Sequence, residues 1–161
     1  MAMKSRSPSA FYDGSRYEMS ESIGHLMKNI TLAMRRRIEH RMAEHGLTAA
    51  QWAPLWMIAT GQAGTAQELT CALSLDAGAM TRLLDRMEAK GLVARERSSD
   101  DRRVVRLHLT DAGQAVMRHV PFVLAEVNNA ALRGFDAQEF ALLQELLRRM
   151  LHTLNEEEPP A

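Results

Sequence analysis

The 161-residue sequence has one cysteine, no long apolar run and no net charge. The single thiol, Cys71, excludes an internal disulfide framework and a four-thiolate metal site. The longest apolar stretches, such as residues 122–125, are too short to cross a bilayer. The polar start of the chain lacks the apolar segment of a signal peptide. Since 46% of the residues are apolar, as in globular proteins, we expect a soluble cytoplasmic domain.

The sequence also lacks the short motifs of common enzyme classes. It contains no Gly-x-Ser-x-Gly nucleophile turn, no phosphate-binding loop and no glycine-rich dinucleotide turn. His40, Glu44 and His45 come closest to a zinc signature, but their spacing matches no zinc-protease motif. We therefore predict that the protein is not an enzyme and uses no cofactor. His40 and Glu44 are left as a candidate pair for a regulatory metal.

The zero net charge hides a gradient along the chain. Residues 28–106 carry 13 basic and nine acidic residues, a net charge of +4. Residues 107–161 carry four basic and eight acidic residues, a net charge of −4. A local basic excess is typical of either a solvated helix face or an anion-binding surface, and the periodicity of the chain must decide between them.

Apolar periodicity predicts helices in the first half of the chain. Apolar residues recur every three or four positions over residues 19–45, and Gly46 ends this first long helix. Capping-box spacings at Thr48–Gln51 and Thr65–Glu68 open two further helices, the second reaching about Leu73. The helix after Thr48 is predicted to bury four residues at helical spacing: Trp52, Leu55, Trp56 and Ala59.

A fourth helix and a hairpin follow. The helix runs from the turn at residues 74–76 to Lys90, and its predicted inner face is Met80, Leu83, Leu84 and Met87. Its predicted outer face is Ala77, Gly78, Thr81, Arg82, Asp85 and Arg86. After Gly91 the apolar period changes to two, which predicts strands at residues 92–96 and around 104–109, joined by a polar tip at 97–103.

Capping residues and apolar periodicity predict helices in the C-terminal part as well. Thr110 caps a helix to about Leu132, which Pro121 should kink or divide. Asp136 and Glu139 cap the last helix. That helix carries a narrow apolar seam typical of helix-on-helix packing, including packing between subunits: Phe140, Leu143, Leu147, Met150 and Leu154.

Two short helices joined by a tight turn and followed by a hairpin have the order of a winged helix-turn-helix. The second short helix fits a DNA major groove. Small residues at Ala77 and Gly78 allow close approach, Thr81 and Arg82 are predicted to reach base edges, and Arg86 a phosphate. The hairpin, or wing, is predicted to place arginines along phosphates or in a minor groove: Arg95, Arg97, Arg102 and Arg103.

The stretch over residues 46–113 resembles the MarR family of bacterial transcriptional regulators. The matching pieces are GLTAAQWAPLWMI and TAQELTCALSLDAGAMTRLLDRMEAKGLVARERSSDDRRVVRLHLTDAG. The most specific part is the Asp-x-Arg of the wing, Asp101 and Arg103, followed by Leu-Thr-x-x-Gly at residues 109–113. In the family the wing aspartate supports an arginine at the wing tip. We transfer these roles to Asp101 and Arg103, with Arg97 or Arg102 as the alternative DNA-contacting arginine.

The resemblance, over about residues 18–155, implies a homodimer that binds a pseudo-palindromic double-stranded operator. It implies a mainly α fold, with long N- and C-terminal dimerisation helices around a winged helix-turn-helix with a two-stranded wing. We expect an arm and dimerisation helix over 1–46, the DNA-binding domain over 47–109, C-terminal dimerisation helices over 110–155 and a disordered tail over 156–161. The terminal helices carry more apolar residues than the winged domain needs, which independently favours a dimer.

The resemblance further implies repression or activation of transcription, of which we expect repression, relieved by a small phenolic or aromatic carboxylate. In the family the effector pocket lies between the first helices and the winged domain. In this sequence that region offers Tyr17, His25, Trp52 and Trp56 as aromatic walls and a titratable group. The arginines at residues 35–37 are candidates to neutralise a carboxylate.

Two other readings of the same residues stay open. The first is a regulator that senses oxidants through Cys71, although its place beside Leu69 and Leu73 favours the role of a small buried apolar residue. The second is a dimeric scaffold whose wing binds protein rather than DNA.

Overall fold

The fold is described from a computed structural model, which covers residues 11–97, 101 and 103–157. Two short 3-10 turns, Gly14–Arg16 and Met19–Glu21, precede the regular elements. The helices are α1 (Ile23–Ala43), α2 (Ala49–Ala59), α3 (Ala66–Leu73), α4 (Ala77–Ala89), α5 (Asp111–Met117), α6 (Val120–Ala131) and α7 (Ala137–Glu157). The strands are β1 (Val93–Arg97) and β2 (Val105–Leu109), between α4 and α5. This order confirms the predicted mainly helical, winged helix-turn-helix fold.

The core forms where the amphipathic faces of α2, α3, α4 and the hairpin meet. All four residues predicted for the inner face of α4 are buried, together with Leu55 of α2, Leu69 of α3 and Leu107 of β2. Each fully buried side chain of this size contributes about 1.5–3 kcal/mol by leaving water. The core thus holds α4 by one face and leaves its opposite face exposed.

Local capping starts these helices where the sequence predicts. The capping boxes at Thr48–Gln51 and Thr65–Glu68 are both present, so the two predicted starts are confirmed. Glu68 accepts hydrogen bonds from the backbone N–H groups of Gly64 and Thr65, and these bonds, the Gly64 bond above all, lower the pKa of its carboxyl. The Gly64 carbonyl in turn accepts from Leu107 N at 2.8 Å, which joins the start of α3 to the wing.

The first long helix is shorter than predicted. The sequence predicts one helix over 19–45, but α1 begins only at Ile23, because Ser22 is extended and its hydroxyl accepts from His25 N as the N-cap. Residues 19–21 form a separate 3-10 turn. Gly46 ends the helix with a φ of 71°, a left-handed conformation that favours glycine.

Contacts from α1 reach the C-terminal half of the chain. Arg41 forms ion pairs with Glu44 at 2.9 Å and with Glu126 of α6 at 2.7 Å, and both carboxylates raise the pKa of its guanidinium, Glu126 first. The His45 ring stacks on that of His119, with centroids 4.5 Å apart. These contacts hold the end of α1 against the α5–α6 region.

Three further predictions concern the residues at which helices and strands begin or end. The division of the helix after Thr110 is confirmed, with α6 restarting at Val120 so that Pro121 lies in its first turn, where no N–H is needed. The first strand is shifted by one residue from 92–96, because Leu92 N still bonds to the Met87 carbonyl at the end of α4. Glu156 and Glu157, expected in the tail, belong to α7, and residues 158–161 lie outside the described part of the chain.

Two burial predictions are wrong, and Trp52 and Trp56, also predicted to be buried, are half-buried. Ala59 is exposed because it lies in the last turn of α2 and lines an open cleft, and Gln51 and Pro54 are buried in this helix instead. Cys71 is exposed because the short helix α3 directs Leu69, not the thiol, into the core.

The terminal helices leave apolar residues uncovered. Among the described side chains of α7 none is buried, and Leu154 of its seam is 62% exposed. The first half of α1 is similar, with Ile30 at 56%. Exposed apolar stretches of this length mark interaction surfaces. None of the helices in the described part of the chain is long and apolar enough to span a membrane.

The junction between the wing and α5 has no room for a side chain at Gly113. The Thr110 hydroxyl accepts from Gly113 N and donates to the Gly91 carbonyl, and Thr110 N donates to the Leu92 carbonyl. A Cβ on Gly113 would overlap the Leu92 carbonyl group. The glycine therefore permits the close approach of α5 to the base of β1.

We predict that Gly113→Ala destabilises the protein by about 1–3 kcal/mol or more, because backbone atoms must move apart. Urea unfolding at a fixed protein concentration measures the loss. The control is Gly24→Ala in α1, where an added Cβ meets no atom of the described residues within 4 Å. This helical change should cost nothing or stabilise by up to about 1 kcal/mol. Equal stability of Gly113→Ala and the native protein would contradict the tight junction.

Candidate nucleic-acid interface

The exposed face of α4 presents the predicted DNA-contacting residues. Ala77, Gly78, Thr81, Arg82 and Arg86 are all exposed on this helix. The small residues lie in the first turn and the arginines one and two turns later. A helix with this arrangement can enter a major groove N-terminus first, with guanidinium donors for base edges and phosphates.

A tight turn fixes the direction in which α4 leaves α3. Ser74 adopts a left-handed conformation with a φ of 49°, and Leu75 N donates to the Thr70 carbonyl at 3.2 Å. Asp76 then caps α4, accepting from Ala79 N at 2.8 Å. The Thr81 hydroxyl donates to the Ala77 carbonyl at 2.9 Å, so its oxygen lies against the preceding turn of the helix.

Arg82 lies back over the start of α4. A Cβ placed on Gly78 would be 3.4 Å from a guanidinium nitrogen of Arg82 and 3.2 Å from the Asp76 carboxylate. Because Gly78 has no side chain, the guanidinium can fold against the first turn of α4, on the same side as the Asp76 carboxylate.

The two strands sort the wing residues onto two faces. Arg95 pairs with Leu107 and Arg97 with Val105, so the two arginines share a face with the buried Leu107. Arg97 is exposed near the tip, whereas Arg95 is held by carboxylates of α4. The sequence grouped these arginines together, and only the register distinguishes them. Arg102, also predicted to contact DNA, lies outside the described residues.

Asp101 and Arg103 are brought together at the wing tip. The Asp101 carboxylate accepts from Arg103 N at 3.0 Å and from its Nε at 3.2 Å, and a terminal nitrogen lies 3.1 Å from the other carboxylate oxygen. The side-chain bonds, followed by the backbone bond, lower the pKa of Asp101, and the carboxylate raises that of Arg103. The Arg103 side chain remains 91% exposed, so a turn-bound arginine projects from the wing.

An open cleft of about 550 Å³ lies between the end of α2, β2 and α5. Its lining combines apolar and polar side chains: Trp56, Ile58, Leu107, Leu109, Met117, Thr60, His108, Gln114 and Arg118, with Ala59 at the rim. Of these residues Trp56 was predicted from the sequence, whereas Arg118 and His108 were not. Those two come from separate elements, and no periodic signal connects them.

The other three residues predicted for an effector pocket do not line this cleft. Tyr17 is exposed in the N-terminal arm, with its ring centroid 5.6 Å from that of Tyr12. His25 is half-buried in the first turn of α1, and Trp52 is half-buried against the core. The four residues therefore stay a prediction, of which Trp56 alone belongs to the cleft.

The remaining candidates from the sequence are a regulatory metal site and the single thiol. Among the described residues, no three His, Cys, Asp or Glu side chains gather as a metal site, and His40 is exposed on α1. The thiol of Cys71 is exposed on α3.

Comparison with known proteins supports this interpretation of the fold. The MarR family profile matches residues 47–105, from the start of α2 to the start of β2. Apo MarR from E. coli is 30% identical, with 81% of this chain and 96% of that chain covered and a TM-score of 0.72. The chain belongs to the MarR family. The predicted membership is confirmed, and members of this family are transcriptional regulators.

Two further MarR-fold structures hold DNA. A cysteine-to-serine mutant of E. coli MarR in complex with operator DNA is 31% identical, covering 80% of this chain and 93% of that chain, with a TM-score of 0.71. The S. aureus MepR–DNA complex has 21% identity, coverages of 83% and 96% and a TM-score of 0.69. At that identity MepR supports the fold alone.

We predict that Arg103→Ala raises the pKa of Asp101 toward the usual aspartate value of about 3.9, because the side-chain ion pair is lost. Since pairing depresses the native pKa, its stabilisation of the turn exists above the unfolded pKa and is lost as pH falls through the native one. NMR titration of the Asp101 carboxyl carbon measures the change. Arg97→Ala should leave this pKa unchanged, and an unmoved Asp101 pKa in Arg103→Ala would contradict the pairing.

Proposed function

We propose that this chain acts as a homodimer, binds a pseudo-palindromic operator and represses transcription until a small aromatic acid releases it. The observation behind this proposal is the exposed face of α4, whose Thr81, Arg82 and Arg86 are uncovered while the opposite face is anchored in the core. The operator complex of the 31% identical MarR supports DNA as the partner.

In the proposed complex, α4 lies in the major groove. Arg82 donates to base edges and therefore contributes to sequence preference, whereas Arg86 contacts a phosphate. Arg97 and Arg103 extend from the wing toward phosphates or a minor groove. Arg102 is proposed for the same surface from its place in the sequence.

The exposed apolar residues of α1 and α7 support the proposed homodimer. A face that carries Phe140, Leu147 and Leu154 gains by burial against a second copy, at about 25 cal/mol per Å² of apolar area. Binding to a pseudo-palindromic operator requires the two α4 helices of the proposed homodimer to lie about 34 Å apart, one turn of DNA.

The cleft beside α5 supports a small anionic effector. Its volume lies in the range of ligand pockets, and its lining includes the aromatic Trp56 and the cationic Arg118. Tyr17, His25 and Trp52 do not line this cleft and stay candidate contacts from the sequence alone. Isothermal titration with a panel of aromatic acids tests both assignments. Unchanged affinity in Trp56→Ala and Arg118→Ala would contradict the cleft, and unchanged affinity in His25→Ala would contradict the contacts proposed from the sequence.

An oxidant-sensing regulator is the second candidate, favoured by the exposure of Cys71 on the helix that precedes α4. Operator affinity measured before and after peroxide, in the native protein and in Cys71→Ser, separates the two mechanisms. A loss of affinity in the native protein alone supports the thiol, and no loss excludes it.

We predict that Arg82→Ala weakens discrimination between operator and unrelated DNA by about 1–3 kcal/mol, because it removes a base contact. Arg97→Ala should instead weaken binding to both DNAs and reduce the salt slope of log K by about 0.9, because it removes a phosphate contact. Fluorescence anisotropy at several salt concentrations, on fragments selected by the native protein, measures both effects.

Arg133→Ala is the matched control, since it removes the same charge from an exposed site between α6 and α7. It should leave the salt slope and the discrimination unchanged. Binding by the native protein that is absent or independent of salt would contradict the proposed function.

We predict that Leu147→Asp combined with Leu154→Asp dissociates the dimer, because two carboxylates would have to be buried without partners. Light scattering after size exclusion should give the monomer mass, and operator affinity should fall with it. Arg148→Asp, on the polar side of α7, is the control and should stay dimeric. A native protein that is itself monomeric would contradict the proposed interface.

A further inference from the structure

Arg95 connects the wing to the recognition helix. Its guanidinium nitrogens lie 2.7 Å from the Asp85 carboxylate and 2.9 Å from the Glu88 carboxylate. The two acids are three residues apart on α4, so they lie on adjacent turns of one helix side. The Arg95 side chain is only 30% exposed, less than either acid, so its guanidinium lies between β1 and α4.

The strand register explains why the Arg95 side chain lies on the α4 side of the hairpin. Arg95 lies opposite the buried Leu107, so its side chain starts on the face of the hairpin that packs toward the core. Its apolar stem can cover that face while the guanidinium reaches α4. Arg97, two residues later on the same face, lies beyond this packing and is exposed.

The ion pair with Arg95 also compensates the negative charge of Asp85. Asp85 belongs to the exposed side of α4, between Arg82 and Arg86 in the sequence. An uncompensated carboxylate at that place would repel phosphates, whereas the guanidinium of Arg95 supplies the counter-charge. The same ion pairs also fix the wing relative to α4, and two DNA-contacting elements must keep one relative position to bind together.

We propose that Arg95 is a positioning residue for DNA recognition, which orients the wing on α4 and neutralises Asp85 and Glu88 without contacting DNA. This inference rests on the proposed DNA-binding function. It differs from the sequence-based grouping, which placed Arg95 with the arginines that contact DNA.

The test is a mutant cycle between Arg95 and its two acids, read out as affinity for a fragment selected by the native protein. Arg95→Met keeps the apolar stem and should weaken binding about tenfold, because it frees the wing and leaves both carboxylates uncompensated. In an Asp85→Asn, Glu88→Gln background the same change should cost at least about threefold less. Arg95→Lys, which keeps the charge and one ion pair, should restore part of the affinity.

Arg97→Met is the matched control on the same strand. As a proposed DNA contact, it should cost the same in both backgrounds and reduce the salt slope by about 0.9. A thermal melt of each variant separates a loss of folding from a loss of positioning.

Two outcomes would overturn the inference while the native protein still binds DNA. The first is unchanged affinity in Arg95→Met. The second is a loss that is equally large in the native and the Asp85→Asn, Glu88→Gln backgrounds, which would make Arg95 a direct DNA contact. If the native protein binds no DNA, the proposed function fails and this inference fails with it.

Discussion

The burial of one face of α4 is the interaction on which the rest of the molecule depends. Met80, Leu83, Leu84 and Met87 fill the core between α2, α3 and the hairpin. Their combined transfer from water, about 1.5–3 kcal/mol each, fixes the rotation of the helix about its axis. Because that rotation is fixed, Arg82 and Arg86 must face outward. The packing of the core therefore determines which residues of α4 form the exposed recognition surface.

Polar contacts then place the wing relative to that helix. The Gly64 carbonyl binds Leu107 N, the backbone at Leu92 packs against Gly113, and Arg95 bridges to Asp85. Each contact involves main-chain atoms or a charged pair in the base or the middle of the hairpin, away from its tip. The tip carries its own local turn, in which Asp101 binds Arg103. The base is therefore held by the domain, and the tip arginine projects from it.

The neutral total charge is compatible with an oriented DNA-binding molecule. The positive excess of residues 28–106 includes the wing, whose residues 93–109 carry five basic and three acidic residues, while the two arginines of α4 are matched by Asp85 and Glu88. The C-terminal helices carry the negative excess. The field of such a molecule favours the approach of DNA to one side. The exposed apolar stripes of α1 and α7 lie in the parts of the chain outside the winged domain.

The sequence by itself determined the elements, since helix periodicity, capping boxes and the change to a two-residue period are local signals. It also determined the outward arginines of α4, because burial of one face dictates the other. Only the tertiary structure decided that Cys71 is exposed, that Arg95 serves α4 and that Arg118 and His108 share a cleft with Trp56. The physical reason is that these properties depend on register and on packing between elements distant in sequence. No local pattern of side chains specifies them.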